Sequence, residues 1–280
     1  MQAAMRRILP SCFALAALSL ALGLRAQEAK PAPTAAPASA PAWEGAVGLQ
    51  LMHAPEYPGS DQRKTNLVPG LYLRWGRISV STAGNFVTRH NDAVVRGIGA
   101  DLVQREHLRL QLGLRYDQGR KLDANATVAQ LDEVRATLRA RLGMVWRPVP
   151  DWQLGASWTG DILGRQGGGL VEFGAAREWR LSQRTHWSLG GALVWADQRY
   201  MRARFGVSPA ASLRSGLPAY QPAGGWRDTT LNSQWRIDLD RQWSLWVLGS
   251  AGRLLGPARY SPLSVKTSQV AAGAGFAWHF

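Results

Sequence analysis

Few of the side chains able to do chemistry are spaced for it. The five histidines, His53, His90, His107, His186 and His279, are scattered and lack metal-ligand spacing. The single cysteine, Cys12, excludes a disulfide framework and any cysteine-based zinc site. No phosphate loop or nucleophile elbow is present, and Gly167–Gly169 reads as a loop tip. Serines and histidines of the kind used by lipid-modifying enzymes occur, but no local signature ties any two together. The expectation is therefore no catalytic residue, no metal and no cofactor, with a lipid-modifying enzyme as the least favoured reading.

Arginine is the one chemically active type that recurs in a pattern. Arg109, Arg115, Arg135, Arg139 and Arg141 alternate with apolar residues, as do Arg74 and Arg236 elsewhere. On the inward wall of a pore such arginines can select anions. They can equally pair with Asp117, Glu172, Asp228 and Asp238 and fill the interior. A filled or nearly filled lumen is slightly favoured.

The elements that must position these residues read in twos. Leu108, Leu110, Leu112, Leu114 and Tyr116 alternate with Arg109, Gln111, Gly113, Arg115 and Asp117. Val134 to Trp146 and Val270 to Phe280 repeat the pattern, and a period of two is that of a strand with unlike faces. The expected fold is all-β, an up-and-down antiparallel transmembrane barrel of about 12 strands, with 10 or 14 as alternatives. Expected strands cover 43–53, 66–75, 77–88, 93–104, 107–118, 132–146, 151–161, 168–180, 186–197, 226–239, 242–254 and 265–280. The second pair, 77–88 and 93–104, has no clear inward face. Short turns near 76, 105–106, 148–150, 182–185 and 240–241 alternate with longer links, as in outer-membrane barrels. On the strand 132–146, Leu138 is expected to face lipid near mid-depth and Arg139 the lumen.

Trp43, Trp75, Trp146, Trp152, Trp179, Trp187, Trp243 and Trp278 all fall beside the short turns or a chain terminus. An aromatic girdle belongs at a membrane interface, because indole is apolar with one N–H that seeks water. Phe276, Trp278 and Phe280 end an alternating strand in the manner of a barrel-assembly signal.

Composition agrees. The chain has 280 residues, 46% of them hydrophobic and 19% charged, which is too apolar for a disordered chain. Its mean hydropathy of -0.19 is wrong for a helical membrane bundle but ordinary for alternating strands. Residues 1–26 read as a signal peptide: Arg6 and Arg7, an apolar run from Ile8 to Leu24, then small residues. Residues 27–42 read as an Ala/Pro-rich periplasmic linker, and 43–280 as the barrel. Loss of Arg6, Arg7 and Arg25 takes 33 basic residues to 30 against 19 acidic, a net +11. Dispersed arginines on an exported chain point to anionic lipid headgroups rather than nucleic acid.

At the long links the sequence becomes recognisable. Tyr57-Pro58-Gly59-Ser60-Asp61 follows the first strand. Tyr200-Met201, Phe205-Gly206-Val207, Ser215-Gly216-Leu217, Tyr220, Gly224 and Asp228 follow in order, and Ser261-Pro262 precedes the last strand. This order resembles the MipA/OmpV family, the MltA-interacting outer-membrane proteins. The resemblance implies a barrel in the outer membrane of a Gram-negative cell envelope. It also implies a non-enzymatic scaffold that joins peptidoglycan enzymes, a lytic murein transglycosylase and a murein synthase. The alternative reading is a small outer-membrane channel or uptake pore with a basic lumen. No catalytic residue carries over from the family. The Gly, Pro and Ser content of these loops leaves open whether they are matched for shape or for chemistry.

Overall fold

The computed structural model describes residues 43–84, 94–120 and 130–280. The expected signal peptide, the linker to residue 42, Cys12 and His90 lie outside the described residues. Twelve antiparallel strands close into a barrel in chain order. They are β1 (Trp43–Pro55), β2 (Arg63–Trp75), β3 (Ile78–Ser81), β4 (Gly97–Gln104), β5 (Leu108–Asp117) and β6 (Thr137–Trp146). The second half comprises β7 (Trp152–Asp161), β8 (Gly169–Arg180), β9 (Thr185–Ala196), β10 (Gly225–Asp238), β11 (Trp243–Leu254) and β12 (Ser268–His279).

Closure lies between β1 and β12. Ala46 pairs with Tyr72 on one side and His279 on the other. Gly45 exchanges both backbone hydrogen bonds with Phe280, at 3.1 and 2.9 Å. Gly48 is required at this seam, because a Cβ there would stand 2.2 Å from the Phe276 carbonyl oxygen. Closure removes the unpaired edge that an open sheet would expose to lipid.

The alternation decides which face meets lipid. Val47, Leu51, Leu67, Leu112, Leu142, Met144, Phe173, Leu231, Val247 and Val270 point outward and are exposed. A continuous apolar band of this kind is untenable in water and normal in a membrane barrel. Among the described residues no helix is long and apolar enough to cross a membrane; the strands do the crossing.

Aromatic rings bound the band at both rims. At the turn rim Trp43 stacks on Trp75 at 5.8 Å, Trp179 on Trp187 at 4.5 Å, and Trp187 on Trp235 at 5.8 Å. Arg177 lies over both Trp152 and Trp179, at 5.7 and 5.0 Å, a cation–π contact at headgroup height. The other rim has its own girdle, Tyr116, Trp195 and Trp226, all exposed. On β9 the girdles are marked by Trp187 and Trp195. At ~3.3 Å per residue and a tilt of about 40° they stand roughly 20 Å apart, close to the usual height of the apolar band.

Two expectations need correction. The strand expected over 77–88 ends at Ser81, and the one expected from 93 starts at Gly97. At Ser81 the hydroxyl bonds Ala83 locally, and Ala83 and Val94 pack inside the barrel against Ala46, Tyr72, Trp246 and Ala277. The chain leaves the wall there, which is why no inward face could be read. The strand expected from 132 begins at Thr137. Leu138 therefore pairs with Tyr116 at the loop rim, and Leu142, paired with Leu112 and Trp158, holds the mid-depth position.

Candidate functional site

The long links converge over one mouth of the barrel. The largest carries helices α1 (Gln198–Phe205) and α2 (Pro209–Ser215), and α3 (Gly256–Arg259) follows β11. Asp197 starts α1 by accepting the Tyr200 amide at 2.7 Å, and its second oxygen accepts the Gly169 amide at 2.7 Å. One carboxylate thus ties the helix to β8. Met201 and Phe205, four residues apart, bury one face of α1 against Ala196, Leu254 and Ala258. The helix would end with open carbonyls. The half-buried Arg120 guanidinium donates to those of Ala203 and Arg204, at 2.9 and 3.0 Å. Burial, with the Arg204 charge adding to it, pushes Arg120 down to about 10.

Helix α2 is capped by the Ser208 hydroxyl on the Ala211 amide, has Pro209 in its first turn, and stops at Gly216 with φ +71°. Val207 and Tyr220 exchange backbone hydrogen bonds at 2.9 and 2.8 Å. Val207, Ala211, Leu263 and Leu131 form a second buried cluster, with Leu217 and Tyr220 packed on it. Burial raises the Tyr220 phenol, whose hydroxyl donates to the Pro257 carbonyl at 2.8 Å. Ser261 donates to the Phe205 carbonyl at 2.6 Å, and the Lys266 amide donates to the Gly59 carbonyl at 2.9 Å. Asp132 sits below the ordinary carboxylate range, held first by the Ser208 hydroxyl and then by Arg214.

The residues singled out in the loops are therefore brought together as one cap. Tyr57 to Ser60 turn tightly beneath Ser264, with Gly59 at φ +103°. Tyr200, Met201, Phe205, Gly206 and Val207 run through α1 and out of it, and Ser215, Gly216 and Leu217 end α2. Gly224 gives passage to the Gln198 backbone, where a Cβ would stand 3.1 Å from its nitrogen. Pro58 and Asp61 are exposed, while Pro262 is half-buried between Ser261 and Leu263. Most of these side chains pack apolar surface or bond backbone.

Below the cap the lumen is crossed by ion pairs in two layers. Near the mouth, Asp117 accepts from Arg139 Nε at 2.6 Å, from Arg204 Nη2 at 2.9 Å and from the Gly119 amide at 3.0 Å. Arg139, 1% exposed, also donates to the carbonyls of Gly167 and Gly168, at 2.7 and 3.2 Å. A β-bulge at Arg227 turns both it and Asp228 inward, where they form an ion pair. The Tyr200 ring lies between Arg139 and Arg227, at 5.4 and 5.6 Å. Near the turns, Asp101 is saturated by a fork from Arg109 at 2.8 and 2.7 Å, by Arg74 at 2.7 Å and by Gln111 at 2.9 Å. Tyr72 and Trp246, both buried inward, pack with Ala46 and Ala277; the inward-facing tryptophan carried no signal in the sequence.

Of the arginines expected in the lumen, Arg109 and Arg139 are bound to acids, and Arg115 and Arg141 line the wall without such partners among the described residues. Arg135 departs from the expectation. It precedes β6, is exposed, and lines a basic cleft of ≈ 750 Å³ at the mouth with Arg165, Arg199 and Arg202. The wall across β7 to β10 bears Gly155, Gly174, Ala176, Gly190 and Asn232, and a cavity of ≈ 280 Å³ remains there.

Folding also creates a serine–histidine contact. Ser244 Oγ lies 3.1 Å from His279 Nε2 and donates to Asp238 at 2.9 Å. With the hydroxyl proton committed to Asp238, Nε2 must donate to Ser244. A catalytic base would need the reverse, with the carboxylate on the far imidazole nitrogen. Among the described residues no group of His, Cys, Asp and Glu is placed to hold a metal.

Arg139 joins the wall to the β7–β8 link and so to α1. Gly168, at φ +61°, completes that joint, since a Cβ would stand 2.1 Å from the Tyr200 nitrogen. Arg139→Ala should remove charge-assisted bonds worth about 1.5–3 kcal/mol each. Limited proteolysis within 198–216 should then quicken roughly tenfold or more, since local opening sets the cleavage rate. An unchanged rate would show that the cap is held without this joint.

A family model described as MltA-interacting protein MipA matches residues 47–280. Among solved structures, the NanC porin is 8% identical with a TM-score of 0.44, over 83% of this chain and 98% of that one. In-vitro folded OmpT, an outer-membrane protein of Vibrio cholerae, is 8% identical at a TM-score of 0.39, over 85% and 96%. A bacterial polysaccharide outer membrane secretin is 10% identical at 0.40, over 85% and 97%. No curated protein matches the chain.

Proposed function

The chain belongs to the MipA family of MltA-interacting proteins, and on that premise we propose that this outer-membrane barrel is a non-enzymatic scaffold for murein-remodelling enzymes. The contrast between its two rims carries the reading. The mouth at the long loops is covered by packed helices, whereas the turn rim bears exposed arginines. Arg77, Arg105, Arg184 and Arg241 are exposed there, Arg147 is half-buried, and β1 begins there at Trp43. Short turns face the periplasm in outer-membrane barrels, so this rim is the one that meets the cell wall. The partners proposed are a lytic murein transglycosylase and a murein synthase, docking on the rim and on residues 29–42.

The test is capture of the two purified enzymes by the intact barrel in detergent. Deleting residues 29–42 and changing the five rim arginines to Gln should weaken capture at least tenfold. Unchanged capture after both changes would remove the docking surface. The second reading, a small anion-preferring channel, is supported by the excess of arginine on the lumen wall. Planar-bilayer recording separates the two. The scaffold predicts near silence from the capped protein, with conductance appearing in Arg139→Ala.

A further inference from the structure

Arg96, Arg115, Arg139 and Arg141 converge on a lumen cavity of ≈ 190 Å³ whose other walls include Val94 and Val95. Arg139 is ion-paired with Asp117. Arg96, Arg115 and Arg141 form no ion pair or hydrogen bond among the described residues. The carboxylates felt by this group are Asp117, already shared with Arg204, and Glu172 facing Arg141. Asp161 pairs with Arg139 across β6 and β7, so among the described residues five guanidinium groups, Arg204 included, face three carboxylates, and Arg96 and Arg139 both repel Arg115.

The wall is shaped to hold these groups. Gly143 lies beneath the Arg141 guanidinium, where a Cβ would stand 2.6 Å from Nη1. Gly113 clears the floor, where a Cβ would stand 2.7 Å from Val95 Cγ1. Arg96 is exposed, whereas Arg115 and Arg141 are half-buried beside Val94 and Val95, where apolar surface strengthens their unpaired charges. A guanidinium fork matches the oxygens of a phosphate or carboxylate in pairs. A dianion matches this excess of two positive charges better than a monoanion. The volume is enough for one phosphate group and below that of a pocket for a drug-sized ligand.

We infer that this lumen cavity binds a phosphate group, either as the free ion or as a phosphomonoester of a small solute. The site is independent of the scaffold role, which is tested with murein enzymes and can fail without touching it. The full barrel, folded in zwitterionic detergent at low salt, is dialysed against labelled inorganic phosphate. One saturable site per barrel is expected. Arg115→Gln and Arg141→Gln should each weaken it at least tenfold, and Arg199→Gln, in the exposed mouth cleft, should not. Phosphate should also raise the unfolding midpoint of the wild-type barrel above that in chloride of equal ionic strength, a readout that needs no variant. Competition by glucose 6-phosphate at the same site assigns a phosphorylated solute; its failure to compete assigns the free ion. No saturable uptake, or uptake that survives the Arg115→Gln/Arg141→Gln double change, overturns the inference.

Discussion

Asp101→Ala should cost the barrel about 3–5 kcal/mol, the usual result of stripping the partner from buried charges. Asp101 is buried and accepts from Arg74, Arg109 and Gln111. Its loss would leave the Arg74 and Arg109 guanidinium groups together in the lumen without the carboxylate they share. Asp101→Asn keeps one acceptor and should cost less. Adding Arg109→Leu to Asp101→Ala should recover part of the loss, because it removes one of the stranded charges. Urea titration in detergent, followed by the gel mobility of the folded form, measures all of these. A cost below about 1 kcal/mol would mean that lumen water meets the charges as well as Asp101 does.

Leu142→Arg should cost roughly 2–4 kcal/mol, the depth-dependent price of a cation at the bilayer midplane. Leu142 faces outward between Leu112 and Trp158. Leu138→Arg is the control on the same strand and the same face. It lies beside the girdle residue Tyr116, where the cost falls to about 0–1 kcal/mol. Equal costs at 138 and 142 would contradict the depth assignment. The wider test is refolding. Residues 43–280 should fold only with detergent or lipid and show heat-modifiable mobility, whereas a soluble monomer in plain buffer would refute the membrane barrel.

Much of this molecule was legible as pattern. A period of two assigned Leu108 to Asp117 and Val270 to Phe280 to walls with one apolar face. The spacing of turns put all short links at one rim, and tryptophans marked that rim. These features are local or strictly periodic, so a strand states them without reference to its neighbours. The resemblance in the loops likewise marked out residues of the cap, though not their purpose.

Tertiary structure decided what depends on who faces whom. Ser81 to Ala83 turn into the lumen because Tyr72 and Trp246 offer apolar surface there, which no alternation in 77–88 could announce. The bulge at Arg227 sends two successive charged residues inward, against the period. Asp117 meets Arg139 and Arg204 only when β5, β6 and α1 are brought together, and Ser244 meets His279 only when β11 pairs with β12. Arg109 and Arg115 look alike on their strand, yet one is locked to Asp101 and the other lines a cavity. That difference belongs to the closed barrel, since a strand fixes the direction of a side chain and only closure fixes its partner.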